Sequence, residues 1–126
     1  MKMHRFNLQP SGSRLKVQCR LYESQREMLR AIRQDSIGGI ANNTLAFCAT
    51  YRAKLPSWYA AIIYFSKTHI TRGIVVHEFV HASLAILARR KVKNIPCTTE
   101  DAPTAEEALA GLVECLTDAF HKKYGV

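Results

Sequence analysis

The segment from Ile74 to Ala88 is apolar at almost every position, and a helix that is apolar on nearly every face belongs in the centre of a domain. Set into it are His77, Glu78 and His81. Two histidines four residues apart project from the same helix face, where both imidazoles can reach one metal ion, with Glu78 beside them. Burying these three groups without partners costs several kcal/mol, and a metal ion is one of the few single partners that satisfies all of them. The spacing His77-Glu78-Phe79-Val80-His81 therefore predicts a buried zinc site with the two histidines as ligands.

A chain of 126 residues fits one domain, residues 1–126, and is long enough to bury a core without disulfides or a structural metal. Hydrophobic content of 48% and charged content of 22% exclude a disordered chain. The longest uninterrupted apolar run, Trp58 to Phe65, is too short to span a bilayer, and Met1 to Arg5 are not followed by the apolar stretch of a signal peptide. No membrane association and a cytoplasmic location are expected. Cys19, Cys48, Cys97 and Cys115 form no Cys-x-x-Cys pair, so reduced thiols are expected, and the apolar neighbours of Cys19, Cys48 and Cys115 predict ordinary packing for those three. The net charge of +8 biases the protein towards weak, non-specific contact with nucleic acid, anionic lipid or an acidic partner.

Residues 1–13 show little periodicity, which predicts a loose arm or an edge strand. Leu15, Val17, Cys19 and Leu21 alternate with Lys16, Gln18 and Arg20, the pattern of a half-buried strand. Ser24 and Glu27 have capping-box spacing ahead of a helix with Met28, Leu29 and Ile32 inside and Arg26, Arg30 and Arg33 outside. Those arginines read first as a solvated face, and second as a basic patch for nucleic acid or an acidic substrate. After a loop through Gly38-Gly39 and Asn42-Asn43, Leu45, Phe47, Ala49 and Tyr51 alternate as a second strand. A turn at 54–57 leads to a third, Trp58 to Phe65, expected to be antiparallel to the second. Thr71 caps the histidine helix, predicted over about 72–91, and its last turn carries Arg89, Arg90 and Lys91. A loop from Asn94 to Pro103 precedes a final helix, about Thr104 to Lys123, with Leu109, Leu112, Val113, Leu116 and Phe120 as its inner stripe. The expected fold is α+β: a small, mainly antiparallel sheet of about three strands packed with the histidine helix and a C-terminal glutamate helix.

A hydrolytic zinc site usually takes three protein ligands, and the final helix offers two glutamates. Here the sequence resembles the zincin metallopeptidases, and more narrowly the gluzincins, in which a glutamate from a second helix completes the site. Glu107, in Glu107-Ala108-Leu109-Ala110, is similar to the Glu-x-x-Ala pattern of small zincin-like proteins of phages and prophages. Glu114, in Glu114-Cys115-Leu116-Thr117-Asp118, resembles the signature of thermolysin-like gluzincins, where the aspartate orients a zinc histidine; Asp118 would take that role. Glu107 is the first candidate and Glu114 the alternative, and both fall on one helix face. Glu107 also has capping-box spacing from Thr104.

The resemblance implies a zinc-dependent metallopeptidase with a peptide or protein substrate, in which Glu78 serves as general base towards a zinc-activated water. It also implies an extended substrate along the edge strand before the motif helix, expected at Trp58 to Phe65. His69, Arg72, His121 and Tyr124 are candidate oxyanion stabilisers. The alternative is a basic, zinc-stabilised binding or regulatory module without turnover, a phage-type factor acting on a host protein or nucleic acid.

Overall fold

A computed structural model describes residues 3–10, 14–35, 40–50, 58–89 and 102–126, with side chains from residue 107 onward in the last stretch. Its elements are β1 (Met3–Leu8), β2 (Lys16–Tyr22), α1 (Gln25–Gln34), β3 (Ala46–Ala49), β4 (Tyr59–Ser66), α2 (Arg72–Arg89) and α3 (Ala102–Tyr124). The fold is α+β. Tyr51, Arg90, Lys91, Cys97 and the turn at 54–57 lie outside the described residues.

Local chemistry sets the helix ends. Ser24 has extended backbone, and its hydroxyl accepts from the Glu27 N–H at 3.2 Å, which satisfies one orphan donor of α1. One Glu27 carboxylate oxygen is buried without a hydrogen-bond partner. Ser24→Ala should therefore cost about 1 kcal/mol, read as a lower urea midpoint at unchanged slope. Thr71 caps α2 in the same way, accepting from the Ile74 N–H at 3.2 Å. Helix α3 begins before the expected Thr104, with Pro103 inside its first turn, where a missing N–H costs nothing. At its other end Gly125 takes a φ of 94° and donates its N–H to the His121 carbonyl at 2.7 Å, a conformation that favours glycine.

The sheet differs from the expected three mainly antiparallel strands. It has four, in the order β1-β2-β4-β3. The N-terminal segment supplies an edge strand, pairing antiparallel with β2 from Met3↔Tyr22 to Leu8↔Val17. β3 and β4 are antiparallel as expected, but β2 and β4 are parallel neighbours, so the sheet is mixed. The connection through α1 and β3 is long enough for the crossover that a parallel pair requires.

Helices cover both faces. On one, α2 and α3 press Val75, Phe79, Ala82, Ile86, Leu116 and Phe120 onto Val17, Cys19, Leu21, Ala61, Ile63 and Phe65. On the other, Met28, Leu29 and Ile32 of α1 pack against Tyr22, Ala49 and Tyr64. β4 is thus covered on both sides, which explains its uninterrupted apolar run. The polar side of β2 is not open to solvent. Gln18 is buried, donating towards Asn7 Oδ1 at 3.5 Å and Tyr59 Oη at 3.4 Å while accepting from Arg20 Nε at 2.7 Å. Arg20 also pairs with Asp35 at 3.3 Å, and the Tyr64 hydroxyl donates to the same carboxylate. Burial first, and Asp35 second, push the Tyr64 phenol up from its ordinary value. Among the described residues no helix is long and apolar enough to cross a membrane.

Candidate metal centre

Helix α2 lies on the sheet with Val75, Glu78, Phe79, Ala82, Ser83, Ile86 and Leu87 buried. Its opposite stripe, Gly73, His77, His81, Leu84 and Ala88, is exposed. The expectation of buried histidines is therefore overturned: the His77 side chain keeps 69% of its accessible surface. The reason is geometric. A helix packed between a sheet and one neighbouring helix still turns part of its circumference to solvent, and the histidines occupy that part. Their exposure removes the argument that only a metal could satisfy them, and leaves one that rests on spacing.

That spacing suits a shared ion. The imidazole centroids of His77 and His81 are 5.0 Å apart, with the rings steeply inclined. Two imidazoles bound to one tetrahedral zinc, each with a bond of ~2.0–2.1 Å, have ring centres about 5 Å apart. The spacing of the ring centres matches that of a shared ion.

Glu78 behaves differently from its neighbours. Only 7% of it is exposed, and its Oε2 lies 3.9 Å from His77 Nε2. Burial pushes its carboxyl up from the ordinary 4.5, while His77 and His81 pull it back down. It lines a cleft of about 310 Å³ with His77, Gly73 and Ile74 of α2 and with Leu45 and Ala46 at the start of β3. A raised carboxyl at the floor of an open cleft is a stronger base than a solvated one.

The cleft also relocates the edge available to an extended ligand. The strand directly before α2 is β4; β2 pairs with it from Tyr59 to Ser66 and β3 from Ile62 to Phe65, so the stretch Ile62 to Phe65 offers no free backbone edge. β3 pairs only with β4 among the described strands and borders the cleft through Ala46. Leu45 and Ala46 were not legible as site residues, because only the strand order brings them beside His77.

The second helix approaches α2 on its other flank. Val76 and Val80, each one residue before a histidine, form an apolar groove with Leu109, Ala110, Val113, Glu114, Thr117 and Asp118 of α3. Glu114 and Asp118 are exposed on its rim, and Glu107, also exposed, lies on the same helix stripe one turn before Ala110. Among the described residues, no set of three or more His, Cys, Asp or Glu side chains is grouped as a metal site. The proposed oxyanion stabilisers are scattered: His69 Nδ1 lies 2.9 Å from Thr68 Oγ1, Tyr124 packs on Phe120, and Arg72 and His121 are exposed at helix ends. Burial pushes the thiols of Cys19 and Cys48 well up, away from thiolate chemistry.

No family model, curated protein or solved structure matches the chain.

Proposed function

We propose that the chain is a zinc-dependent metallopeptidase of the gluzincin type. The observation that carries this reading is the pair of outward imidazoles 5.0 Å apart with a buried carboxylate at their side. When bound, zinc supplies Lewis-acid polarisation of a carbonyl and a nucleophile at neutral pH. His77 and His81 would hold it, with Glu107 or Glu114 as the third donor and Asp118 as an orienting partner. Glu78 accepts the proton of the attacking water, its basicity raised by burial, and in its acid form returns that proton to the departing amine. The side of β3 that is unpaired among the described strands binds the extended peptide by backbone hydrogen bonds, with Leu45 and Ala46 flanking the cleft.

The competing reading, a zinc-stabilised binding module without turnover, draws on the exposure of the histidines, which leaves them open to a partner's donor. The buried Glu78 favours the enzyme, since a purely structural site gains nothing from a desolvated carboxylate next to its ligands.

Metal content tests the site itself. The purified protein should take up about one zinc per chain, and His77→Ala or His81→Ala should release it. Of Glu107→Ala and Glu114→Ala, the variant lacking the true donor should lose zinc affinity about 10- to 100-fold or more while the other keeps it. Full occupancy in both histidine variants, measured by elemental analysis, would sink the assignment.

A further inference from the structure

The outer face of α1 lies on the opposite side of the sheet from α2, and the candidate metal centre makes no use of it. We propose that Arg26, Arg30 and Arg33 form a docking face for the phosphodiester backbone of nucleic acid. All three are exposed, and together with Gln34 they line a single shallow depression of about 390 Å³.

Three features raise this above an ordinary solvated helix face. The first is that the carboxylates of α1 and its cap are withdrawn from it. Asp35 is held on the sheet side by Arg20 and the Tyr64 hydroxyl, and Glu27 has one carboxylate oxygen fully buried. Secondly, the hydrogen bond recorded for these guanidiniums goes to a neutral acceptor, from Arg33 Nη2 to Asn42 Oδ1 at 2.6 Å, so their charge is not cancelled by an ion pair among the described residues. Thirdly, the patch has no apolar anchor. Among the described residues, the exposed large hydrophobic ones are Met3, Leu45, Trp58 and Leu84, none of them on α1, whereas protein interfaces are built around buried aromatic or aliphatic centres.

A depression lined by three arginines and Gln34, with no large apolar residue among them, suits phosphate rather than an acidic protein. Guanidinium forks match phosphate oxygens bidentately. Positions 26, 30 and 33 span about 10 Å along the helix axis, the rise of about three nucleotides on one strand. Contact of this kind positions a backbone and reads no bases, so binding is non-specific and salt-dependent. With the two functions on opposite layers, nucleic acid can be held while the cleft beside His77 stays open.

Fluorescence anisotropy with labelled duplex and single-stranded 20-mers, titrated from 50 to 300 mM salt, tests the proposal. The Arg26→Gln/Arg30→Gln/Arg33→Gln variant should bind at least about 30-fold more weakly at 100 mM salt, and its log–log salt slope should fall by about 2 to 3. The control Arg14→Gln/Lys122→Gln/Lys123→Gln, which removes three exposed cations elsewhere, should lose less than a third of that slope. Arg26→Gln/Arg30→Gln keeps the Arg33–Asn42 hydrogen bond and should show about two thirds of the full effect, which covers the case in which the triple variant folds poorly. Zinc removal should leave the binding unchanged, so failure here is distinct from failure of the peptidase reading. The proposal is overturned if the α1 variants bind within 3-fold of the parent, if the control loses as much as they do, or if polyglutamate of equal length binds as tightly as the oligonucleotides.

Discussion

Phe120→Ala should destabilise the protein by about 3–5 kcal/mol, the range for removing a buried aromatic side chain. Phe120 is fully buried, and its ring lies 5.2 Å from that of Phe65, 5.6 Å from Phe6 and 5.7 Å from Phe79, centroid to centroid. It therefore joins α3 to β4, β1 and α2 at one point. A hole there cannot be closed by a single neighbour, because its walls belong to four elements that would have to move together. A loss of this size is a large part of the stability of a small domain. Urea denaturation should show it as a much lower midpoint, whereas Leu84→Ala on the exposed stripe of α2 should change stability by no more than about 0.5 kcal/mol. A cost below about 1.5 kcal/mol for Phe120→Ala would mean that α3 is not seated as described.

Glu78→Gln should reduce peptide hydrolysis at least about 100-fold while zinc content is retained, because the amide keeps the size of the side chain but cannot accept the proton. Undiminished turnover of a peptide library by this variant would remove Glu78 from the chemistry. The same substitution carries a second signature in the metal-free protein. Burial raises the Glu78 carboxyl above its ordinary 4.5, so the folded state keeps its proton at a pH where the unfolded chain has released it. Stability from this group is then fully present below the ordinary value and is lost as pH rises through the raised one. Glu78→Gln should accordingly be more stable than the parent at neutral pH, with the advantage vanishing at about pH 3. Chemical denaturation with the chelated protein at both pH values checks the sign. A neutral-pH destabilisation would show that the ionised carboxylate is better satisfied than its burial implies.

Much of the local structure was written in short-range chemistry. Ser24 and Thr71 mark two helix starts because a side-chain oxygen three residues ahead of an N–H is enough to cap it. The alternation from Leu15 to Leu21 marks a strand, and the inner stripe of α3 is carried by Leu112, Leu116 and Phe120. His77, Glu78 and His81 were legible as a unit because four residues of helix are a fixed geometry. Even the exposed stripe of α2 left a trace, since Gly73, His77, His81 and Ala88 fall on one side of the helix and no large apolar residue but Leu84 joins them.

What tertiary structure alone decided is how those pieces face one another. An apolar strand such as β4 looks the same whether it lies at an edge or in the middle; only the arrival of β2 as its parallel neighbour made it central and left β3 outermost among the described strands. The layer order likewise determined that the histidines look outward while Glu78 points into the protein, and that the arginines of α1 lie on the far side of the sheet. Sequence spacing governs contacts within one element, whereas pairing across the sheet depends on long-range closure that no local pattern encodes.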